Sequence, residues 1–518
     1  MFKLEKAPRK WRFFHGLVLS VYMQKPFYIT TTLPYVNASP HVGFAMEIIR
    51  ADVIARYKTL MGYDVFFNTG TDEHGQKIFD NAQEGGEDTQ AYVDRYATEF
   101  QSLTKELGLL DSVHFIRTTD THHVAAAQEM WRRCDANGYI YKAQYQTKYC
   151  VGCELAKTDS ELEDGFCPVH PGKEIELIDE ENYFFKFSAF TEKLIEFYNA
   201  NPDFVTPDFR FNEIKAFVKR GLKDFSISRN KDKMSWGVPV PGDDEHVMYV
   251  WFDALTNYIS TLGWPNEDGD FKKYWIDGDT AQYCGKDNLR QQSAMWQAML
   301  MAAELPNSGR ILINGFINAA DGTKMSKSLG NVIAPKDVIK KFKDVTPYAE
   351  EVLRYYLARH VNSWEDSGMN METVEEAYRA HLQNGLGNLT SRLTNMVVKY
   401  EVEYNPQELY YNKAFDTCEG ERCRGYLEKL DAYDIQKAMD ITWSRIKDID
   451  EEISNKEPFK LFKTDPDQAR ADLAGMIFQL GKIVKEISPV MPRTAAKIAE
   501  LLDEKKKPET VLFGRLED

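Results

Sequence analysis

The sequence predicts a doubly wound α/β domain on a parallel sheet, interrupted by an inserted segment and followed by an all-α bundle. Strand and helix patterns alternate from Phe27 to about Ile140, paired cysteine and histidine residues then interrupt them, and after Pro335 the apolar periodicity is helical to the end. The expected division is 1–24 as an extension, 25–140 and 224–334 as the two halves of the sheet domain, 141–223 as the insertion, 335–380 as a linking segment and 381–518 as the bundle.

The extension is basic (Lys3, Lys6, Arg9, Lys10, Arg12) before a short apolar patch, Leu17–Tyr22, with no small-residue cleavage site after it, and is expected to be poorly ordered. Phe27–Thr31, aromatic and β-branched, reads as the first strand; Pro34, Asn37, Ser39 and Pro40 make a turn, and a helix opens at His41–Gly43. Such a junction gathers backbone N–H groups and the positive end of the helix dipole at one spot, which suits a phosphate. Gly43 would admit a ligand close to the backbone, and His41 can donate a hydrogen bond to it. Asp64–Asn68 and His114–Arg117 are further strands, while Phe44–Met61, Gln90–Leu107 and Val124–Asn137 are helices. Ligands of a doubly wound sheet sit at the carboxyl ends of its strands, where Thr69–Gly75, TGTDEHG, is expected to fall. Asp72 in that run is either a helix N-cap or a carboxylate facing a ligand ammonium.

The insertion carries Cys150-x2-Cys153 and Cys167-x2-His170, with turn-forming Gly152, Gly165 and Pro168 beside them. Three thiolates and an imidazole suit tetrahedral zinc, and four protein ligands would close the site, making it structural; reduced structural cysteines are the alternative. Asp224–Arg229, DFSISR, is expected to resume the sheet. In Tyr249–Ser260, YVWFDALTNYIS, the residues Trp251, Ala254 and Tyr258 share one helical face, as plain core or as the wall of a pocket for a flexible thioether. Gln282–Asp287 ends a strand before the helix Asn288–Ala303, and Ile311–Asn314 leads to Asp321–Asn331, DGTKMSKSLGN, which carries Lys324 and Lys327 on a Gly-flanked segment able to move. In the bundle, Leu382, Leu386, Leu389, Leu393, Met396 and Val397 form one apolar stripe and Leu473, Met476, Leu480, Ile483 and Ile487 another. Asn388 and Arg392 lie one helical turn apart, and Pro458–Phe459 sits in a turn.

Length and composition set bounds. A chain of 518 residues expects about two to four domains, and 43% hydrophobic content is that of a globular protein. No apolar run approaches a membrane span. A net charge of −16 argues against a general nucleic-acid binder but leaves room for a local basic face. Seven cysteines, mostly clustered, argue against a disulfide framework and for a reducing cytoplasm.

HVGF at His41–Phe44 together with KMSKS at Lys324–Ser328 resembles the paired signature of class I aminoacyl-tRNA synthetases, and LPYVN and YVWFDA narrow the resemblance to the methionyl-tRNA synthetases, from about Pro26 onward. The resemblance implies a Rossmann-like catalytic domain, a zinc-knuckle connective insertion and an anticodon-binding helix bundle. It implies an enzyme that joins L-methionine to ATP (with Mg2+) as methionyl-adenylate, releases pyrophosphate, and passes methionine to the 3′ end of tRNA(Met). By position, His41, Gly43, Lys324, Ser326 and Lys327 match the ATP site, with His41, Lys324 and Lys327 as its catalytic groups. Leu33, Tyr35, Asp72, Trp251, Ala254, Tyr258 and Trp296 match the methionine pocket, with Asp72 pairing the ammonium. Asn388, Arg392, Pro458 and Phe459 match the anticodon-reading positions, and Cys150, Cys153, Cys167 and His170 the zinc knuckle. The insertion is too short for the editing domain of the isoleucine, valine and leucine enzymes. Three departures stand out: Phe44 replaces the second His of the signature, Gln291 and Gln292 replace an aromatic and a His at the thioether end, and Phe459 replaces a Trp. They motivate a second reading, a catalytically weak tRNA-binding paralogue, against which the intact KMSKS argues. A cytoplasmic monomer is expected, with no DNA or membrane partner.

Overall fold

Phe27, Tyr28 and Ile29 are buried on both faces of the strand they form, as an apolar run in the middle of a parallel sheet must be. The computed structural model describes residues 24–153, 155–157, 161–170, 174–323, 325, 331–410 and 421–517. Expectations for residues 1–23 and for Lys324, Ser326 and Lys327 lie outside the described residues. The central strands are β1 (Pro26–Thr30), β2 (Asp64–Thr71), β3 (His114–Arg117), β4 (Val205–Thr206), β5 (Asp279–Gly285) and β6 (Arg310–Asn314). They pair in the order β3-β2-β1-β5-β6-β4, parallel throughout. The chain runs outward from β1 to β3 and later returns to build the other half from β5. The strand order therefore reverses between the carboxyl ends of β1 and β5, where such sheets open a ligand crevice.

Asp224–Arg229 does not resume this sheet. It splits into Phe225–Ser226, which pairs antiparallel with Glu176–Phe185 of the insertion, and Ser228–Asn230, which joins a small sheet with Asp243–Met248 and Pro239–Val240. The parallel sheet is rejoined earlier, by β4, whose two residues before Pro207 are too few to show periodicity. The insertion's own sheet orders Leu155–Lys157, Ile140–Cys150, Glu176–Phe185 and Phe225–Ser226.

The helix Val42–Leu60 packs under the sheet and buries charge as well as apolar side chains. Asp52 meets Arg354 of the helix Ala349–Arg359 at 2.6 Å, both fully buried. Arg354 also donates to the carbonyls of Leu107, Pro489 and Val490, so every charge in this joint is met. The linking segment is not wholly helical: Ser367–Met369 pairs in parallel with Ile317–Ala319, tying it to the sheet domain. Beyond it the expected stripes are buried apart from Met396, which packs against their edge, and one apolar core runs continuously from the helix Val42–Leu60 into the bundle. The bundle helix Ile435–Lys456 begins at Asp434, whose carboxylate accepts from Lys437 N–H and from the Ser363 hydroxyl. It ends at Glu457 in a left-handed turn that delivers Pro458 and Phe459. Cys423 is disulfide-bonded, whereas Cys134, Cys150, Cys153, Cys167 and Cys284 form no disulfide.

Candidate active site

His41 caps the helix Val42–Leu60 with its own side chain: Nδ1 accepts the Gly43 N–H at 3.0 Å. An imidazole whose Nδ1 accepts carries its proton on Nε2 when neutral, so the ring presents a donor away from the cap. A Cβ on Gly43 would lie 2.8 Å from His41 Cε1, so the glycine makes room for the imidazole; the space expected for a ligand is filled by that ring. Phe44 turns the other way, edge-on to Phe100 with centroids 5.0 Å apart, and supports the start of the helix. The Val42 N–H donates to the Ile333 carbonyl at 3.1 Å. The chain returning from the KMSKS segment thus meets the same helix N-terminus that His41 caps.

Asp72 follows β2 directly and is 3% exposed. Its N–H donates to Pro34 O at 2.9 Å and its carbonyl accepts from Val36 N–H at 3.2 Å, which places Tyr35 beside it. It is not an N-cap, since the next helix, Gln76–Glu84, is capped at Gly75. The neighbouring Glu73 carboxylate takes both Arg117 Nε (2.6 Å) and an Arg117 Nη (2.8 Å) and so is committed to structure.

The second wall comes from Val250–Ala254 and Asn257–Ser260, two short helices where the spacing predicts one. The break at Leu255–Thr256 leaves Trp251, Ala254 and Tyr258 buried nonetheless. Tyr35 lies edge-on to Trp251 at 6.4 Å and Tyr258 lies 5.9 Å from Trp296, while Leu33 is buried nearby in sequence to Tyr35. The helix expected over Asn288–Ala303 opens as 3-10 and π turns, which hold Gln291 and Gln292 in the core. Gln292 Nε2 donates to the Tyr258 hydroxyl, and Gln282 Nε2 donates to Gln292 Oε1 at 3.4 Å. Among the described residues, buried Trp251 Nε1, Trp296 Nε1 and Gln291 Oε1 have no hydrogen-bond partner. Buried polar atoms are rarely left so, and these three stand available to a bound group.

The sequence reading missed Glu47, His74, His123 and Asp253. Glu47, one turn beyond Gly43, accepts from Thr32 N–H at 2.7 Å, and burial pushes its carboxyl up to about 7. An acid inside the apolar run FAMEII was the available signal. The other three form a buried cluster in which His74 Nδ1 and His123 Nε2 meet the two Asp253 oxygens at 2.5 and 2.8 Å. Nothing local in the sequence brings those three together.

Cys150, Cys153, Cys167 and His170 converge, with all ligand atoms within 4.8 Å of one another. Cys153 Sγ lies 3.4 Å from Cys167 Sγ and 3.2 Å from His170 Nδ1. Tetrahedral zinc with Zn–S near about 2.3 Å needs ligand separations of this size, so the donor set fits. Gly152 is required there: a Cβ would lie 2.6 Å from the His170 ring. In the bundle, Asn388, Arg392, Asn395, Lys399 and Phe459 line one cleft of about 510 Å³, and buried Pro458 starts the short helix that carries Phe459. Arg392 is oriented by Asp450 at 2.9 Å.

A capped helix N-terminus at the switch point of a parallel sheet, beside an aromatic pocket, is what the class I aminoacyl-tRNA synthetase signature leads one to expect. The family model described as "tRNA synthetases class I (M)" matches residues 27–394. Methionine–tRNA ligases of Thermotoga maritima and Synechocystis sp. are 39% and 38% identical over 93% and 92% of this chain and 76% and 89% of their own. The solved structure of Mycobacterium tuberculosis methionyl-tRNA synthetase in complex with methionyl-adenylate matches with a TM-score of 0.84 at 35% identity, covering 95% of this chain and 100% of that one. The chain belongs to the methionyl-tRNA synthetase family, ATP-dependent aminoacyl-tRNA ligases of class I.

Proposed function

We propose that the chain activates L-methionine with ATP and transfers it to tRNA(Met), using the residues matched above. The observation that carries this is the meeting of the His41-capped helix with Ile333, next to a buried pocket that starts at Asp72. The methionine carboxylate attacks the α-phosphorus of ATP, an acyl–phosphate bond forms as the bond to pyrophosphate breaks, and Mg2+ accompanies the nucleotide. His41 donates through Nε2 to a phosphate oxygen, and Gly43 keeps that imidazole in place. Lys324, Ser326 and Lys327 hold the departing pyrophosphate, their charges and hydroxyl meeting the negative charge that develops on it. The 3′-terminal hydroxyl of the tRNA then attacks the acyl carbon and AMP leaves.

Asp72 pairs the substrate ammonium, while Leu33, Tyr35, Trp251, Ala254, Tyr258 and Trp296 enclose the thioether, which packs well on aromatic rings. Asn388, Arg392 and Phe459 read the CAU anticodon by stacking and polar contacts to base edges, and buried Pro458 sets the turn that presents Phe459 to it. Zinc, held by Cys150, Cys153, Cys167 and His170, stabilises the fold of the insertion and takes no part in the reaction. The domain division follows the expected one, with β4 assigned to the catalytic body and the strand Phe225–Ser226 to the insertion, and the working form is a cytoplasmic monomer.

The test is methionine-dependent ATP–pyrophosphate exchange followed by charging of tRNA. Exchange with methionine and formation of methionyl-tRNA support the reading. Binding of tRNA with no exchange for any amino acid favours the weak paralogue, which Phe44, Gln291 and Gln292 motivate.

A further inference from the structure

The two walls of the amino-acid pocket come from distant parts of the chain. Asp72 and Tyr35 lie beyond the ends of β2 and β1, whereas Trp251, Ala254 and Tyr258 lie on the two short helices after Met248. A buried carboxylate joins them. Asp253, between two wall residues of its own helix and fully buried, receives His74 Nδ1 on Oδ2 at 2.5 Å and His123 Nε2 on Oδ1 at 2.8 Å. His123 Nδ1 lies 2.8 Å from Ser260 Oγ, which extends the network to the helix that carries Tyr258. His74 stands two residues beyond Asp72, and its ring lies 5.7 Å from that of Trp236, whose Nε1 donates to Glu73 O at 2.6 Å.

Burial alone would raise the Asp253 carboxyl; the His74 and His123 imidazoles instead hold it down, at about 2, so both of its oxygens act as acceptors. A core that needed only packing would be at least as stable with an apolar side chain there. The segment 72–74 is pinned at one end by the backbone bonds of Asp72 to Pro34 and Val36, and at the other by the bond from His74 to Asp253. The bond from His74 to Asp253 thereby ties this segment directly to the helix that carries Trp251 and Ala254.

We propose that Asp253, acting through His74, is a positioning residue that sets the span between Asp72 and the aromatic wall, and so the length of amino-acid side chain the pocket accepts. This rests on the assignment of the methionine pocket made above.

The experiment is ATP–pyrophosphate exchange by the full chain with methionine and with ethionine, which is one methylene longer. One methylene discriminates by about 10- to 200-fold in an apolar pocket, and the unmodified chain is expected to prefer methionine within that range. His74→Leu fills the volume but cannot donate, and is expected to cut the methionine-to-ethionine ratio of kcat/KM by about fivefold or more while KM for ATP stays within about twofold. His74→Asn, whose amide nitrogen takes the place of Nδ1, is expected to restore the ratio. Should His74→Leu fail to fold, His74→Gln, which moves the donor outward by one carbon, is expected to lower the ratio in the same sense. Equal losses for both amino acids, with the ratio unchanged in the leucine and glutamine variants, would overturn the inference and leave the bond a structural one. No exchange by the unmodified chain with either amino acid would instead overturn the pocket assignment, and this inference with it.

Discussion

In the sheet domain the residues proposed to hold the amino acid are shut from solvent, with Asp72 only 3% exposed and Trp296 fully buried, while in the bundle the cleft beside Phe459 stands open, that ring being 44% exposed. Charge is handled differently too. The pocket's neighbours are held by short buried bonds such as His74 to Asp253, whereas Arg392 is oriented by a carboxylate that solvent also reaches. A small zwitterion must be stripped of water, and in a desolvated site each fixed charge counts for more. An RNA loop brings several bases and a charged backbone, so modest contacts in water suffice when added together.

The comparison is broken or sharpened by measurements of decreasing expected effect. Asp72→Asn removes one partner of a buried charge pair and is expected to lower kcat/KM for methionine in exchange by about a hundred- to a thousandfold. A loss no larger than that at the open cleft would erase the distinction. Phe459→Ala forfeits one stacked base, about 1–3 kcal/mol or roughly 5- to 150-fold in kcat/KM for tRNA charging, with exchange unchanged. Equal loss in both assays would place the ring's effect on stability and not on RNA. Phe44→His restores the missing signature imidazole at the cost of the contact with Phe100. We expect exchange to quicken by less than about tenfold and Tm to fall, a lost aromatic pair being worth about 0.5–1.5 kcal/mol. An unchanged exchange rate would mean that a second imidazole has no role here.

The last test uses pH, because the two regions titrate in opposite senses. In the bundle, burial pushes the Glu486 carboxyl up to about 7 despite Arg445 and Thr442 beside it. Unfolded, it titrates near about 4.3, so its contribution is complete below that and is lost as pH rises through about 7. In the pocket, Asp253 is held down at about 2, so its contribution is present above the ordinary Asp range and is lost as pH falls through about 2. Glu486→Gln is expected to flatten the decline of stability between about pH 4 and 7, where one group contributes a slope of at most about 1.4 kcal/mol per pH unit. A denaturation series with the slope unchanged would locate the titration elsewhere.

Much of this was legible in the chain. Strand His114–Arg117, the cysteine–histidine pairs and the bundle stripes announce themselves by short-range spacing, and the structure has them where the spacing puts them. What escaped depends on partners far away in sequence. The strand Val205–Thr206 exists because β6 offers an edge, and Ser226 and Ser228 part company because two different sheets claim them. The break after Ala254 follows from fitting Tyr258 under Tyr28, whose hydroxyl donates to the Tyr258 carbonyl at 2.9 Å. At the site, the matched residues Tyr35, Asp72, Trp251 and Tyr258 come from motifs, but Asp253 and its two histidines are assembled only by packing.

The helix Ile435–Lys456 is anchored to the linking segment at Asp434 and presents Phe459 from its far end. At about 1.5 Å per residue it is a ruler of about 33 Å between the two halves of the protein. Removing one residue from its middle would shorten that ruler by less than the width of an atom, yet would swing its far end through about 100°, turning Phe459 out of line with Arg392. The register of this helix, more than its length, is therefore what holds Phe459 opposite Arg392.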